Sequence, residues 1–318
     1  MTKDFLMQWI DAPTIDRLLD YPSLCAAFTQ LHREPLPVNA DLCLEIPGSA
    51  DRFMLRSAWS EQNMVGVKLA SVFPRNEYRH PANPMVQGIY VAFDGNTGKP
   101  LFVADGATFT ARKTAADSAL GLDLLARRDV RTMLMVGAGE MAGPLIEAFT
   151  ALRPSLRQVY IWNRTSSRAE KLAASLKLPG VEITVVDDLD SAFPKAEVIC
   201  AATMSEEPLI RGARVAPGTH VNLVGSWQPH MREADNDIFI RGQIYVDFRP
   251  TALASGELQL PLFLGVISAD DIRGDLFDLC RGTPPVFTTD EITVFKNAGG
   301  AHLDLFTAQV LATRMNVQ

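Results

Sequence analysis

The chain is poor in the features that would set it apart from ordinary globular enzymes. Cysteine is scarce, with four in 318 residues. Cys25, Cys43, Cys200 and Cys280 lie far apart without CxxC spacing, which argues against a disulfide framework or a zinc site and predicts reduced, buried thiols. The five histidines, His32, His80, His220, His230 and His302, form no HxH or HExxH pair. No metal site is therefore expected, and each ring reads as structural or exposed. Basic excess is missing as well: 37 acidic residues against 30 basic ones give a net charge of −7. Without a basic tract there is no electrostatic footprint for nucleic acid or an anionic membrane. Long apolar runs are absent. The best one, residues 132–149, contains Glu140, Glu147, Gly139, Gly143 and Pro144, and does not suit a membrane span. The first residues, MTKDFLMQWIDAP, carry two aspartates and no small-residue cleavage site, so the expectation is a cytoplasmic protein without a secretory signal. Internal repeats and low-complexity stretches are also lacking, which excludes a solenoid.

What is present fits a globular protein of about two domains. Hydrophobic residues make up 47% of the chain and charged ones 21%, enough to build sizeable cores and too apolar for disorder. The texture changes near residue 130. Before it come short strand-like runs at 42–46, 53–59, 65–73, 88–93 and 101–104. The last two flank Asp94-Gly95-Asn96-Thr97-Gly98, a turn cluster that predicts a hairpin. Residues 110–126 follow with helical spacing, capped by Thr110 or an earlier residue. After 130 the pattern alternates: apolar strands at 132–136, 159–162, 181–186, 198–202, 220–224 and 244–246, with helices at 141–152 and 167–176. Alternation of this kind predicts βαβ units and a parallel sheet. A final helix is expected over 300–313.

The most informative local motif is Gly137-Ala138-Gly139-Glu140-Met141-Ala142, which follows an apolar strand and opens a helix. The first glycine permits a tight turn and the second lets the backbone approach a pyrophosphate. Ala142 allows close helix–strand packing, and the helix N-terminus faces the phosphate charge. An NAD site usually places an acid about 20 residues further on, at the end of the next strand. This chain reads Trp162-Asn163-Arg164-Thr165-Ser166-Ser167-Arg168 there. Two guanidiniums and three hydroxyls replace the carboxylate, which suits a ribose 2′-phosphate and predicts NADPH, with NADH the weaker cofactor.

A second group lies nearer the N-terminus. Lys68 sits in an otherwise apolar strand, where a buried ammonium needs a partner. Arg112 and Lys113 are expected at the start of the helix at 110, where a guanidinium and free backbone N–H groups could converge on an anion. Cations gathered in an acidic protein point to a small carboxylate substrate or a cofactor phosphate; pairing of Lys68 with a structural Asp is the alternative.

Five ordered motifs carry a family resemblance: Gly66-Val67-Lys68-Leu69 with Val72-Phe73-Pro74-Arg75-Asn76; Thr110-Ala111-Arg112-Lys113-Thr114-Ala115-Ala116; the glycine turn; Val224-Gly225-Ser226 with Pro229, Arg232-Glu233 and Asp235; and Thr293-Val294-Phe295-Lys296 with Gly299. Over about residues 65–304 the chain resembles the ornithine cyclodeaminase/mu-crystallin family. The resemblance implies an α/β fold in which a Rossmann NAD(P)-binding domain, residues 121–297, is inserted into an α+β substrate and dimerisation domain, residues 1–120 plus 298–318. It implies an active site in the cleft between them, and homodimers. NADPH would lie along Gly137, Gly139, Glu140 and Met141, with its 2′-phosphate on Asn163, Arg164, Thr165 and Arg168. Thr203 and Met204 would pass near the adenine or its ribose, and Val224 and Ser226 near the nicotinamide. Lys68 and Arg112 are the expected catalytic and substrate-binding pair, Arg112 also touching the cofactor.

Two departures from the family refine the expected reaction. Where ornithine cyclodeaminases keep an Asp, this chain has Trp227, whose indole offers an N–H donor and no base. That places it with ketimine reductases, which receive a ready-made C=N. The expected reaction is reduction of Δ1-pyrroline-2-carboxylate to L-proline, with the six-membered piperideine analogue second. Alternatives are amino-acid deamination of the cyclodeaminase or alanine dehydrogenase type, a non-catalytic NADPH-binding protein, and an opine-type synthase. Relatives also carry an Arg upstream of the Lys68 strand that is missing from Val38-Asn39-Ala40-Asp41-Leu42; Arg56, on the neighbouring strand, is the expected substitute.

Overall fold

The computed structural model describes residues 7–316 apart from 62, 80, 82, 283, 284 and 286. His80 and the first six residues, both read above, lie outside the described residues. The chain divides into two compact units, Met1–Lys113 with Gly300–Gln318, and Thr114–Gly299.

In the first unit, β1 (Gln8–Ile10), β2 (Val38–Glu45), β3 (Arg52–Ser60), β4 (Met64–Val72), β5 (Val86–Asp94) and β6 (Pro100–Asp105) form a sheet in the order β1-β6-β5-β4-β3-β2. All pairs are antiparallel except β1–β6. The expected hairpin joins β5 and β6: the Asp94 carboxylate accepts from the Thr97 N–H and hydroxyl, and Gly98 takes φ +69°. Helices α1 (Ala12–Leu18) and α2 (Tyr21–Leu31) precede the first strand read from the sequence. Each opens on an aspartate cap followed by a proline in its first turn: Asp11 accepts from the Thr14 N–H and Asp20 from the Ser23 N–H. The last helix, Ala301–Met315, packs on β3, β4 and α2.

Register explains the face this helix covers. Arg56 lies opposite Lys68, Lys68 opposite Tyr90, and Tyr90 opposite Ala104, so one row of side chains crosses four strands on the same face. Cys43, expected buried, is exposed, because β2 is an edge strand open to solvent along most of its length. Cys25, Cys200 and Cys280 are buried, and none of the four cysteines is in a disulfide.

Helix α3 (Gly106–Leu125) begins four residues before the expected start. Asp105 caps it, its carboxylate accepting from the Thr108 N–H at 2.9 Å. Its free N–H groups therefore belong to its first turn, and those near Arg112 and Lys113 lie inside the helix ladder, so the expected backbone anion site at residue 110 is not there.

The second unit holds a parallel sheet of β7 (Thr132–Val136), β8 (Gln158–Trp162), β9 (Glu182–Val185), β10 (Val198–Ala201), β11 (His220–Leu223), β12 (Gly242–Val246), β13 (Ile272–Gly274) and β14 (Ile292–Lys296). Their order is β13-β12-β14-β11-β10-β7-β8-β9. The six strands read from the sequence are β7 to β12. β14, read there only as a motif, enters between β11 and β12. Helices α4 (Ala142–Leu152) and α5 (Ser166–Ser175) make the first crossovers. The order reverses between β7 and β10, which puts a crevice at the carboxyl ends of these two strands. Among the described residues no helix is long and apolar enough to cross a membrane.

Candidate functional site

The loops at that crevice carry the glycine turn. Gly137 takes φ +107°, and a Cβ there would meet the Ala202 carbonyl at 2.8 Å. No atom of the described residues lies within 4 Å of a Cβ built on Gly139, so its backbone borders open space. Helix α4 starts directly afterwards, and Met141 at its N-cap makes no side-chain capping bond. Of its first N–H groups, that of Ala142 donates to the Gly139 carbonyl at 3.0 Å and Pro144 has none, which leaves that of Gly143 for an anion. An open glycine backbone beside an uncapped helix start fits a dinucleotide pyrophosphate.

Asn163 turns out to brace this loop. Its Oδ1 accepts from the Ala138 N–H at 3.0 Å and its amide donates to the Thr165 carbonyl at 2.9 Å. Arg164, Thr165 and Arg168 are exposed, and among the described residues neither arginine has an ion pair. Of the neighbouring hydroxyls, Ser166 donates to the Asp187 carboxylate at 3.2 Å.

Thr203, past the end of β10, is held firmly: its N–H and hydroxyl both donate to Glu233 Oε1, at 2.6 and 2.9 Å. Met204 beside it is half exposed. Past β11, the Val224 N–H donates to the Ala201 carbonyl, and the Gly225 N–H donates to Glu233 Oε2 at 2.7 Å. Ser226 then adopts a left-handed backbone, φ 54°, with its hydroxyl fully buried and, among the described residues, unpartnered. Trp227 follows, partly exposed.

In the first unit a buried cationic group forms around a carboxylate the sequence reading did not single out. Asp304, from the last helix, lies 2.9 Å from Lys68 Nζ and 3.5 Å from Lys113 Nζ. Asp304 is fully buried and both lysines nearly so. Two ammoniums on one carboxylate leave an excess of one positive charge. Burial lowers the Lys68 pKa to about 8; Asp304 opposes this, while Lys113 and Arg56 reinforce it. Burial alone would raise Asp304, but Lys113 and Lys68 outweigh it and hold the carboxyl below its usual range. Tyr90, whose hydroxyl is buried without a partner among the described residues, is raised well above its usual value by burial and by Asp304. Arg56 joins the row but makes its ion pair with Asp41, at 3.2 Å.

Arg112, expected in this group, is not part of it. Its Nε donates to Asp16 at 2.7 Å and its guanidinium lies 4.7 Å from the Tyr21 ring centroid. Adjacent helix positions point about 100° apart, so α3 can present only one of the pair to Asp304, and it presents Lys113. The Arg112-Lys113 dipeptide gave no signal to choose between them. Asp304 was detectable as an acid in an otherwise apolar helical stretch, Ala301-His302-Leu303-Asp304-Leu305-Phe306. Of the described histidines, His220 pairs with the Thr293 hydroxyl at 2.8 Å inside the core and His230 sits near Glu206 on the surface. Among the described residues no cluster of ligands could hold a metal ion.

A doubly wound sheet with an open glycine turn at its switch point defines a dinucleotide-binding protein of the Rossmann class. The sequence model of the ornithine cyclodeaminase/mu-crystallin family matches residues 26–317, and the chain belongs to that family. It is 42% identical over 299 residues to a Δ1-pyrroline-2-carboxylate reductase of Paracoccus denitrificans, covering 93% of each chain. To ketimine reductase mu-crystallin of Rattus norvegicus it is 35% identical over 231 residues, 72% of this chain and 70% of the other. Among solved structures it resembles Thermococcus litoralis Δ1-pyrroline-2-carboxylate reductase in complex with NADH and L-proline. That match has a TM-score of 0.88 and 25% identity, covering 98% of this chain and 99% of the other.

Proposed function

We propose that this protein is an NAD(P)H-dependent ketimine reductase that converts Δ1-pyrroline-2-carboxylate to L-proline, with the piperideine analogue as a second substrate. The observation that carries the reading is the buried pair Lys68 and Lys113 on the single carboxylate of Asp304. Its unbalanced positive charge is completed by a small anionic substrate. Lys68 and Lys113 bind the substrate carboxylate, Asp304 orients both ammoniums, and Arg56 adds to the field from the next strand. Lys68 keeps its proton at Nζ below about pH 8. When bound, the reduced nicotinamide supplies hydride to the imine carbon. Orientation and anion binding are the chain's own contribution. Trp227 offers no lone pair to take a proton from an amine, which favours reduction of a formed C=N over deamination. The similarity to named pyrroline-2-carboxylate and ketimine reductases supports the same reading. The test is NADPH oxidation with Δ1-pyrroline-2-carboxylate followed by identification of proline as product; no turnover of any cyclic ketimine carboxylate contradicts it.

NADPH is the preferred cofactor in this proposal, with NADH weaker. Arg164 and Arg168 take the 2′-phosphate, and Gly137, Gly139, Glu140 and Met141 border the pyrophosphate. Arg164→Asp removes a phosphate partner and adds a repulsive charge. The NADPH/NADH ratio of kcat/KM is expected to fall by at least tenfold, and an unchanged ratio in steady-state kinetics refutes the assignment.

Residues 121–297 serve as the dinucleotide domain, and residues 1–120 with 298–318 as the substrate and dimerisation domain. The face of the first sheet turned away from the last helix supports the dimer: Trp9, Val38, Leu42, Leu44, Phe53 and Trp59 are exposed there. Apolar surface gathered on one face suits a second copy. Four cysteines without a disulfide among them suit the cytoplasm.

A further inference from the structure

One buried carboxylate in the second unit ties together the loops that follow β10 and β11, two of the strand-end loops that the cofactor reading uses. Glu233 is fully buried. Its Oε1 accepts the N–H and the hydroxyl of Thr203, and its Oε2 accepts the Gly225 N–H. Lys296, at the end of β14 and equally buried, donates its Nζ to the Gly225 carbonyl. The Gly225 residue is thus held at both ends of its backbone, by an acid on one side and an ammonium on the other. The space around it is closed: a Cβ on Gly225 would meet the Thr203 carbonyl at 2.0 Å and Glu233 Oε1 at 2.6 Å. Thr203 also backs the glycine turn, since a Cβ on Gly137 would meet its methyl at 3.0 Å.

The next residue is the strained one. Ser226 adopts φ 54°, a region non-glycine residues enter rarely and keep only where their surroundings impose it. Its hydroxyl is buried without a partner among the described residues, and a buried hydroxyl held in a strained conformation calls for a ligand group to satisfy it. β11 belongs to the second half of the doubly wound sheet, the half that receives the nicotinamide end of a dinucleotide.

We propose that Glu233 and Lys296 are positioning residues that clamp Gly225 so that the Ser226 hydroxyl meets the carboxamide of the bound nicotinamide. The proposal rests on the reading of this chain as a nicotinamide-dependent enzyme and deepens it. The charge arrangement makes the clamp pH-dependent. Facing Glu233 are Lys296 from β14, Glu257 from the helix Gly256–Phe263 and Cys200 from β10; Lys296 also feels Asp247, and Arg232 pairs with Glu257 at 3.6 Å. Burial raises the Glu233 pKa to about 7, with Lys296 opposing and Glu257 reinforcing. Below that pH the protonated carboxyl loses its charge toward Lys296 and one of its acceptor positions toward Thr203 or Gly225. Tight cofactor binding is therefore present above pH 7 and lost as the pH falls through it.

The experiment is fluorescence titration with NADH between pH 5.5 and 8.5, a probe chosen because it lacks the 2′-phosphate, which itself titrates near the lower end of that window. Wild type is expected to bind NADH less tightly as the pH drops through 7. Glu233→Gln, which can accept only two of the three donors, is expected to bind at least tenfold more weakly at pH 8 and to show a flat profile. A lower thermal midpoint is expected from the donor left unmatched, so the titration is run well below it and the pH profile carries the comparison. Ser226→Ala, which leaves the clamp intact, is expected to lose affinity while keeping the pH dependence, and it carries the test if Glu233→Gln does not fold. Wild-type affinity and profile in both variants overturn the proposal, as does a flat profile in wild type. Because the readout is cofactor binding, a failure to reduce imines sinks the substrate reading and leaves this result independent of it.

Discussion

Lys113→Ala and Lys68→Ala are each expected to lower kcat/KM for Δ1-pyrroline-2-carboxylate by roughly two to four orders of magnitude, since removing one partner from a buried charge group costs about 3–5 kcal/mol. Either change leaves Asp304 with one ammonium, so the site loses the excess positive charge that a carboxylate substrate needs. Arg112→Ala is expected to cost far less, because Arg112 is paired with Asp16 on another face of the helix. Steady-state kinetics on the three variants ranks them. A loss at Arg112 equal to that at Lys113 would show the clamp misassigned. The pH dependence has a definite sign. The Lys68 pKa is drawn down to about 8, so the ammonium is present below that value and is lost as the pH rises through it. The substrate KM should therefore climb above pH 8 in wild type. Lys68→Arg, which stays charged, should flatten that limb.

The two glycines of the nucleotide turn are expected to fail in different ways. Gly137→Ala forces a Cβ onto φ +107° and against the Ala202 carbonyl, so both the folding midpoint and NADPH affinity should drop. Gly139→Ala meets no protein atom within 4 Å and should leave the midpoint unchanged. Its methyl instead occupies space assigned to the pyrophosphate, and NADPH affinity is expected to fall by at least tenfold. Thermal unfolding alongside fluorescence titration separates the two, and a Gly139→Ala protein that binds NADPH normally contradicts the placement of the cofactor.

Much of the architecture was legible because its signals are local. The alternation of apolar runs with helical spacing marks β7 to β12, and the GAGEMA turn marks the switch point. The hairpin at Asp94–Gly98 announces itself through turn chemistry. β14 escaped because periodicity cannot reveal that the last strand of a chain inserts between two earlier ones. Asp11-Ala12-Pro13 and Asp20-Tyr21-Pro22 were readable helix starts, each a cap followed by a proline. The start of α3 was misjudged because its cap, Asp105, ends a strand. The site was half legible: Lys68 stands out as a charge in an apolar strand, while its partners come from α3 and from a helix more than 230 residues away. Distinguishing Lys113 from Arg112 requires the helix phase, which only the packed structure fixes.

The central claim, that this chain reduces a preformed cyclic imine held by its carboxylate, is tested most directly by one paired assay on the wild-type protein. NADPH consumption is followed with Δ1-pyrroline-2-carboxylate, and ammonia release is followed with L-ornithine and the oxidised cofactor under the same conditions. Rapid NADPH oxidation yielding proline, with no ammonia from ornithine, is the predicted result. Ammonia release from ornithine at a comparable rate would contradict the account and would mean that another group supplies the base that Trp227 cannot.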